Sequence, residues 1–377
     1  MILERVLHKA QDAEKAFKYK AVLFIPSESY DAAAITIMQG LEELGFVVYT
    51  IGKPNINSWW MNKIVENPRG LKFDFVLSNM HWGTRWDFYD KYNLHKHFKV
   101  LIDGCDNRAK HTWRDKYDFY CRKYWGKAKP QEPVLSRDLQ PYRWMEPLGR
   151  YKPDIVFTSQ KNPGDKETFY LPFGIHREAQ KFHEGKLAKE RGIDFTNIPG
   201  PGTARKGLTD FMARVKLPGR VHNSKISGGS VIPKEIERLV WKDNNVHSYF
   251  RWVLQREYFK ILNDTKVLIY SNVYDRAHWD SKKIWEGLAS GCLPLFEKPR
   301  IDMSQYPVTE LCPGLQFEDY DELVDKAQWL YHSQGYFENM RLQVYEGALR
   351  YFTPVPLARR FLWILSKQKG GGKENVG

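Results

Sequence analysis

The chain has 377 residues, enough for two hydrophobic cores, and 42% of them are hydrophobic, which excludes a disordered or low-complexity protein. Its 58 basic and 45 acidic side chains give a formal net charge of +13, which favours a polyanionic partner. No apolar run reaches the about 18 residues of a membrane span, and the opening residues, MILER, lack the pattern of a secretory signal. None of the four cysteines forms a Cys-x-x-Cys pair. We therefore expect a cytoplasmic protein (in the host cytoplasm if the source is a virus) without a disulfide framework or a structural zinc.

Short apolar runs alternate with helical patterns in the first half of the chain. Residues 21–26 (AVLFIP) have the length of a buried strand, and residues 31–44 place apolar side chains at helical spacing before Gly45. Further strands are predicted at 46–51, 73–78, 100–103 and 154–158. Strands separated by helices predict a mainly parallel sheet, and hence a first Rossmann-like domain over residues 1–175.

The pattern restarts in the second half, which predicts a second Rossmann-like domain over residues 176–355. Strands are predicted at 193–199, 266–270 and 292–296, and helices at 208–215, 281–290 and 322–331. The fold class is therefore α/β, with two doubly wound domains facing a cleft, where such sheets bind ligands beyond the carboxyl ends of their strands. An amphipathic helix at 356–366 is expected to cross back onto the first domain, and residues 367–377 are predicted to be a disordered tail.

A glycine-rich segment, GPGTARKG at residues 200–207, lies between a predicted strand and a predicted helix. Free backbone N–H groups at a helix start bind phosphate, so Gly202 would allow close approach while Arg205 and Lys206 contact a diphosphate. The spacing is not that of a dinucleotide fingerprint, and Leu208 stands where a Walker A motif needs lysine. An ordinary turn between strand and helix remains the alternative.

A second segment, residues 271–299, contains a predicted helix that Asp280 caps and Gly291 ends. Glu286 lies within this helix, and a glutamate there can accept hydrogen bonds from a sugar diol. By spacing alone, however, a glutamate on a solvated helix face is the stronger interpretation.

The order of several short motifs resembles that of the GT-B glycosyltransferases of the group-1-like class, which use nucleotide sugars. WEGLASGCLPLFE resembles their donor-site segment, PDIVFTSQ and YLPFGIH the approach to the interdomain linker, and ARKGLTDFMARV the start of their nucleotide domain. GLEELGFVVYT resembles a helix and strand of the first domain, and DYDELVDKAQWL and YFTPVPLARRFLWIL the closing helices. The resemblance covers most of the chain and implies a GT-B fold and glycosyl transfer.

The resemblance also implies roles for individual residues. Glu286 matches the glutamate that binds the nucleotide ribose, and Arg205 and Lys206 match basic positions near the donor diphosphate. Ser290 and Gly291, with Cys292, match a turn close to the donor. His278 stands where family members often have a second glutamate, and it can donate a hydrogen bond to a hydroxyl or a phosphate but cannot act as a carboxylate. The co-substrate implied is a nucleotide sugar, expected to be UDP-linked, with transfer of a hexose or a pentose.

Polar residues follow two predicted strands of the first domain, where such enzymes contact their acceptor. His81 follows one strand, and Asp103 and Asp106 end and follow another. All three should face the cleft, so each is a candidate general base for an acceptor hydroxyl. Asp103 could instead cap a turn, and His81 could be an ordinary loop histidine.

Basic and aromatic side chains are interleaved between Lys110 and Lys152, with 11 basic against 5 acidic residues. Cations neutralise phosphates and aromatic rings stack on bases, so this composition suits a nucleic-acid groove. Trp113, Arg114, Arg122, Lys123 and Trp125 are the candidate contacts. A solvated loop region with a few buried rings is the alternative interpretation.

These observations together favour a glycosyltransferase that acts on a hydroxymethylated base in DNA, as in viral DNA hypermodification, with the base flipped out of the stack. Transfer to a surface polysaccharide or another anionic glycan is the first alternative, and nucleic-acid binding without catalysis is the second. No metal or cofactor is expected, because no cysteine or carboxylate partners the His95 and His97 pair at a metal-ligand spacing.

Overall fold

The computed structural model describes residues 1–26, 32–51, 63–79, 86–103, 152–161, 164–197, 208, 211–212, 214–223, 256–270, 282–299 and 301–369. These residues form two parallel sheets, and helices pack against each sheet. The predicted α/β class with two doubly wound Rossmann-like units is confirmed.

The first sheet has seven parallel strands in the order β3-β2-β1-β4-β5-β6-β7. Its strands are β1 (Ala21–Ile25), β2 (Val47–Ile51), β3 (Ile64–Val65), β4 (Phe75–Asn79), β5 (Lys99–Asp103), β6 (Ile155–Thr158) and β7 (Thr168–Tyr170). Strands β1, β4, β5 and β6 are buried along their whole length. Their mainly apolar sequences are typical of parallel strands that are covered on both faces.

The second sheet has five parallel strands in the order β12-β11-β10-β8-β9. Its strands are β8 (Ile193–Asn197), β9 (Val221–Asn223), β10 (Thr265–Tyr270), β11 (Leu293–Glu297) and β12 (Gln316–Phe317). The chain proceeds outward from β8 to β9 on one side and from β10 to β12 on the other. The strand order therefore reverses between β8 and β10, and this reversal is the topological switch point of the sheet.

The structure gives the bounds of nine α-helices among the described residues. They are α1 (Ile2–Lys9), α2 (Ala32–Glu43), α3 (Trp86–Lys91), α4 (Arg177–Gln180), α5 (Arg256–Asp264), α6 (Lys282–Ala289), α7 (Tyr320–His332), α8 (Gln334–Phe352) and α9 (Pro354–Lys369). Short 3₁₀ helices occur at Ala13–Ala16, Leu94–Lys96, Ala188–Glu190 and Val308–Leu311. Among the described parts of the predicted helix at 208–215, residues 208, 211, 212 and 214 are helical.

The closing helix α9 packs on α2 of the first unit. The first unit is the part of the chain built on the first sheet, and the second unit is the part built on the second sheet. Gly40 of α2 makes this contact possible, because a Cβ there would lie 2.1 Å from the carbonyl oxygen of Pro354. With the sheet on one side and α9 on the other, residues 32–41 of α2 are all buried. Helix α9 is longer than predicted and includes residues 367–369, which were assigned to a disordered tail. Lys369 there donates to the carbonyl oxygen of Asp74 at 3.4 Å, and residues 370–377 lie outside the described ranges.

The linker between the two sheets runs from β7 to β8 against the junction of α8 and α9. Gly174 has a φ of +71°, and a Cβ there would lie 2.4 Å from a methyl carbon of Leu357. Ile175 donates its N–H to the carbonyl oxygen of Phe352 at 2.8 Å. The predicted division at residue 175 stays a prediction, and it falls within this linker.

Candidate functional site

The segments predicted to bind the donor continue the two strands that flank the switch point of the second sheet. Gly202, Arg205 and Lys206 follow β8, and His278 follows β10. Strands β8 and β10 are hydrogen-bonded neighbours, with Ile269 opposite Asn197 near their carboxyl ends. These four of the seven predicted donor residues lie outside the described residues, so their positions stay predictions.

Glu286 lies in the second turn of α6, the helix between β10 and β11. Here the carboxyl edge of a sheet is the side on which its parallel strands have their carboxyl ends, and the amino edge is the opposite side. Helix α6 returns from the carboxyl edge after β10. Its side chain is only 3% exposed, so the interpretation of a solvated surface glutamate is wrong. One carboxylate oxygen, Oε2, accepts a hydrogen bond of 2.7 Å from the hydroxyl of Tyr258. A buried carboxylate is costly unless polar partners compensate it, and Tyr258 supplies one such partner.

Tyr258 was missed by the sequence analysis, because nothing in the sequence relates α5 to α6. It lies in the first turn of α5, which runs directly into the start of β10 at Thr265. Both helices therefore start at the carboxyl edge of the sheet and run towards its amino edge. This shared direction brings the early residues of α5 and α6 together.

Ser290 and Gly291 lie at the other end of α6, at the amino edge of the sheet. Gly291 has a φ of +74° and ends the helix. Ser290 is fully buried, and its hydroxyl donates to the carbonyl oxygen of Glu286 at 2.9 Å. The structure does not bring these two residues to the carboxyl edge, and their predicted donor contact stays a prediction.

Two buried arginines hold this amino-edge turn. Arg191 donates to the carbonyl oxygens of Thr265 and Ser290 at 2.6 and 2.9 Å, and to that of Leu262 at 3.3 Å. Arg341 donates to the carbonyl oxygen of Gly291 at 2.8 Å. These bonds satisfy carbonyl groups that the helix ends leave without an internal partner, so we assign the turn a structural role.

The same turn contains Cys292, whose thiol is fully buried and lies 3.1 Å from the carbonyl oxygen of Leu262. Burial raises the pKa of the Cys292 thiol to about 11, although the two arginines act in the opposite direction. The thiol therefore stays protonated at neutral pH and is unsuited to nucleophilic chemistry.

His176 connects the interdomain linker to the start of α6. It immediately precedes α4, is 4% exposed and lies close enough to Lys282 for their charges to interact. Burial, reinforced by the positive charge of Lys282, lowers the pKa of His176 to about 3. The imidazole is therefore neutral at physiological pH. The motif YLPFGIH was noted only as part of the linker, so the sequence analysis missed this residue as well.

Asp103 is the described member of the three candidate bases. It is the last residue of β5, at the carboxyl edge of the first sheet, and it is fully buried. Thr158 lies opposite it on β6, and the N–H of Ser159 donates to the Asp103 carbonyl oxygen at 3.3 Å. Asp103 therefore ends a buried strand beside Thr158, and its role as a base stays a prediction. His81 and Asp106 lie outside the described residues.

An ion pair joins the carboxyl edges of the two sheets. The ammonium group of Lys161, which follows β6, lies 2.9 Å from Oδ2 of Asp302, which follows β11. The N–H of Asp302 also donates to the carbonyl oxygen of Lys161 at 2.8 Å. Burial alone would raise the pKa of Asp302, but hydrogen bonds from Ser304 and Lys161 outweigh it and lower that pKa. The two edges therefore face each other here.

Other predictions fall outside the described residues or were not tested. Trp113, Arg114, Arg122, Lys123 and Trp125, the candidate DNA contacts, are outside. Within the described ranges, no three His, Cys, Asp or Glu side chains come together as a metal site needs, and the expectation that no cofactor takes part stays a prediction. Among the helices the structure describes, none combines the length and apolar character that a bilayer crossing requires.

Comparison with known proteins gave structural likeness only. No protein-family model and no curated protein matches the chain. A glycosyltransferase from Rickettsia africae is similar over 93% of this chain and 98% of its own, at 12% identity and a TM-score of 0.45. The DNA-modifying enzyme β-glucosyltransferase, solved with and without uridine diphosphoglucose, is similar over 92% and 98%, at 11% identity and 0.45. Anabaena Alr3699/HepE in complex with UDP and glucose is similar over 92% and 99%, at 11% identity and 0.47. These identities are too low to transfer residue roles from one chain to another.

Proposed function

We propose that the protein is a glycosyltransferase that moves a sugar from a nucleotide-sugar donor to an acceptor hydroxyl. The observation that carries this proposal is the switch point between β8 and β10, because the two predicted donor segments continue these neighbouring strands. In doubly wound sheets a nucleotide binds in the crevice at such a point. The bond between the anomeric carbon and the diphosphate oxygen breaks, and a bond to the acceptor oxygen forms.

The donor binds to the second unit in this proposal. Glu286 accepts hydrogen bonds from the ribose hydroxyls, and its burial makes such bonds strong because water does not compete for them. Gly202, Arg205, Lys206 and His278 surround the diphosphate. Positive charge and backbone N–H groups there stabilise the negative charge that develops on the leaving nucleoside diphosphate.

The acceptor binds to the first unit. Asp103 is the proposed general base, and its place at the carboxyl end of β5, on the side of the first sheet that faces the second unit, supports this assignment. It would take the proton of the acceptor hydroxyl, with Asp106 and His81 as the other candidates. A hydroxymethylated base in DNA is the proposed acceptor, because residues 110–152 carry 11 basic against 5 acidic side chains among many aromatic rings. Trp113, Arg114, Arg122, Lys123 and Trp125 would contact the DNA.

A transfer screen with mass-spectrometric readout tests this function. The protein is incubated with a panel of nucleotide sugars and with plain or hydroxymethylated DNA, which is then digested to nucleosides. We expect a hexose or pentose mass on the hydroxymethylated base alone. Release of nucleoside diphosphate without a modified base would reject DNA and favour a surface polysaccharide or another anionic glycan. Salt-dependent DNA binding with no donor turnover would instead indicate a non-catalytic nucleic-acid-binding protein.

Glu286→Ala tests the donor site within the same assay. We expect the donor KM to rise at least about tenfold, because a charged hydrogen bond is worth about 1.5–3 kcal/mol. Glu346→Ala, at an exposed position of α8, is the matched control and should leave the KM unchanged. An equal KM for wild type and Glu286→Ala would contradict the donor role of Glu286.

A further inference from the structure

We infer that Tyr258 is a positioning residue for donor binding, because it holds the Glu286 carboxylate in the orientation that recognises ribose hydroxyls. This inference rests on the proposed function and deepens it. Tyr258 acts through Glu286, and the inference requires no direct contact between Tyr258 and the donor. It also carries a prediction about substrate class, namely a preference for ribonucleoside over 2′-deoxyribonucleoside diphosphates.

The hydrogen bond between the two side chains is short and buried. The Tyr258 hydroxyl lies 2.7 Å from Oε2 of Glu286, and the two residues are each only 3% exposed. A hydrogen bond to a carboxylate is stronger than one between neutral groups, and more so where water is excluded. The bond is therefore strong enough to select one orientation of the carboxylate.

The Tyr258 ring is itself immobilised by packing. It meets the ring of Phe259 edge-on, with centroids 5.3 Å apart, and Phe259 stacks on Phe182 of the linker at 4.4 Å. Asn263, one turn further along α5, donates to the carbonyl oxygen of Phe182 at 2.6 Å. The phenol oxygen therefore has a defined position, which it transmits to the carboxylate.

A free glutamate carboxylate rotates broadly about its last torsion, so binding a ligand would require ordering it. With Oε2 held by Tyr258, the plane of the carboxylate and the direction of its other lone pairs are set before the donor arrives. Preorganisation of this kind lowers the cost of binding without adding any contact to the ligand. It also sharpens discrimination, because a site built for a hydroxyl rejects the analogue that lacks it.

Isothermal titration calorimetry on the full chain tests the inference without an acceptor. UDP, ADP and GDP are titrated, and the tightest binder is compared with its 2′-deoxy form in wild type and in Tyr258→Phe. We expect the variant to bind the ribonucleotide about tenfold more weakly, which corresponds to about 1.4 kcal/mol. We expect the 2′-deoxy form to be affected less, so the ratio of the two affinities falls.

The matched control is Tyr306→Phe. Tyr306 is equally buried, and its hydroxyl donates to the carbonyl oxygen of Tyr351 at 2.6 Å, away from Glu286. Both substitutions remove one oxygen and keep the ring, so both chains should fold. We expect Tyr306→Phe to lower the free energy of unfolding while leaving both nucleotide affinities unchanged. A purely structural role for Tyr258 would give the same result as this control.

The double variant Tyr258→Phe/Glu286→Ala separates the positioning role of Tyr258 from the donor-binding role of Glu286. If Tyr258 acts through Glu286, the double variant binds no more weakly than Glu286→Ala alone. Additive losses, or an unchanged affinity in Tyr258→Phe beside a weakened Glu286→Ala, would overturn the inference and leave the proposed function standing. No binding of any nucleoside diphosphate by the wild type would overturn both.

Discussion

The two ends of helix α6 differ in what surrounds them. At the amino edge of the sheet, the turn after the helix is held by Arg191 and Arg341, which donate to the carbonyl oxygens of Ser290 and Gly291. Towards the carboxyl edge, the helix presents Glu286, whose carboxylate accepts from a tyrosine hydroxyl. One continuous motif of the sequence is thus divided into a structural half and a half proposed to bind the donor. Substitutions at the two ends should separate stability from donor affinity.

The largest effect is expected for Arg191→Met, at the structural end. The substitution keeps an unbranched, largely apolar stem but removes the guanidinium group, so the carbonyl oxygens of Leu262, Thr265 and Ser290 lose this donor. We expect a loss of about 3–5 kcal/mol in the free energy of unfolding, since each buried unsatisfied group costs about 1–3 kcal/mol. Urea denaturation measures this loss. An unchanged free energy of unfolding would show that the hydrogen bonds donated by Arg191 are not needed for stability.

Gly291→Ala should have the next largest effect. A Cβ there would meet guanidinium nitrogens of both Arg191 and Arg341 at 2.9 Å, in a backbone conformation with φ of +74°. We expect a loss of about 2–3 kcal/mol with an unchanged nucleotide affinity. Gly45→Ala is the control, because its φ is +83° but no atom lies within 4 Å of the added carbon. The excess over the control, by urea denaturation, measures the crowding alone.

His176→Gln should change how the free energy of unfolding depends on pH. Burial and Lys282 lower the pKa of His176 to about 3, whereas an unfolded histidine titrates near about 6.5. The unfolded chain therefore takes up a proton first, and stability is lost as the pH falls from about 6.5 towards 3.

At pH 5 this single group accounts for a loss of about 2 kcal/mol relative to pH 7. The free energy of unfolding, measured in urea at both pH values, should therefore fall by about 2 kcal/mol less in His176→Gln than in wild type. His8→Gln, at an exposed position of α1, should not change the fall. Equal falls in all three chains would mean that His176 is accessible to protons in the folded state.

The smallest effect is expected for Ser290→Ala. The substitution removes the 2.9 Å hydrogen bond from the Ser290 hydroxyl to the carbonyl oxygen of Glu286, at a cost of about 0.5–1.5 kcal/mol. Because Ser290 lies at the amino edge, we expect the affinity for a nucleoside diphosphate to stay unchanged in calorimetry. A weaker affinity would support the donor contact that the resemblance implies.

Most of the fold could be predicted because buried parallel strands have short, mainly apolar sequences that are easy to recognise. Strands β1, β5 and β10, for example, were predicted within about two residues at each end, since each is covered on both faces. The short strands β3, β7, β9 and β12 were missed. They have two or three residues each, too few to show a period.

The candidate site was less accessible to the same approach. Glu286 could be proposed only through a resemblance, because its neighbours in the sequence give no sign that it is buried. Its partner Tyr258 is 28 positions away along the chain, and only the parallel course of α5 and α6 brings the two together. The amino-edge location of Ser290 likewise follows from the three-dimensional path of α6 and not from the motif in which it occurs.

The contact between α9 and α2 has a consequence for biosynthesis. The first unit is translated before the second, yet the helix that covers residues 32–41 of α2 begins only at Pro354. Until the ribosome has released α9, the nascent first unit exposes the apolar helix face that contains Gly40. A nascent chain in this condition is a natural client for chaperones. The first unit to be synthesised is consequently the last to be completed.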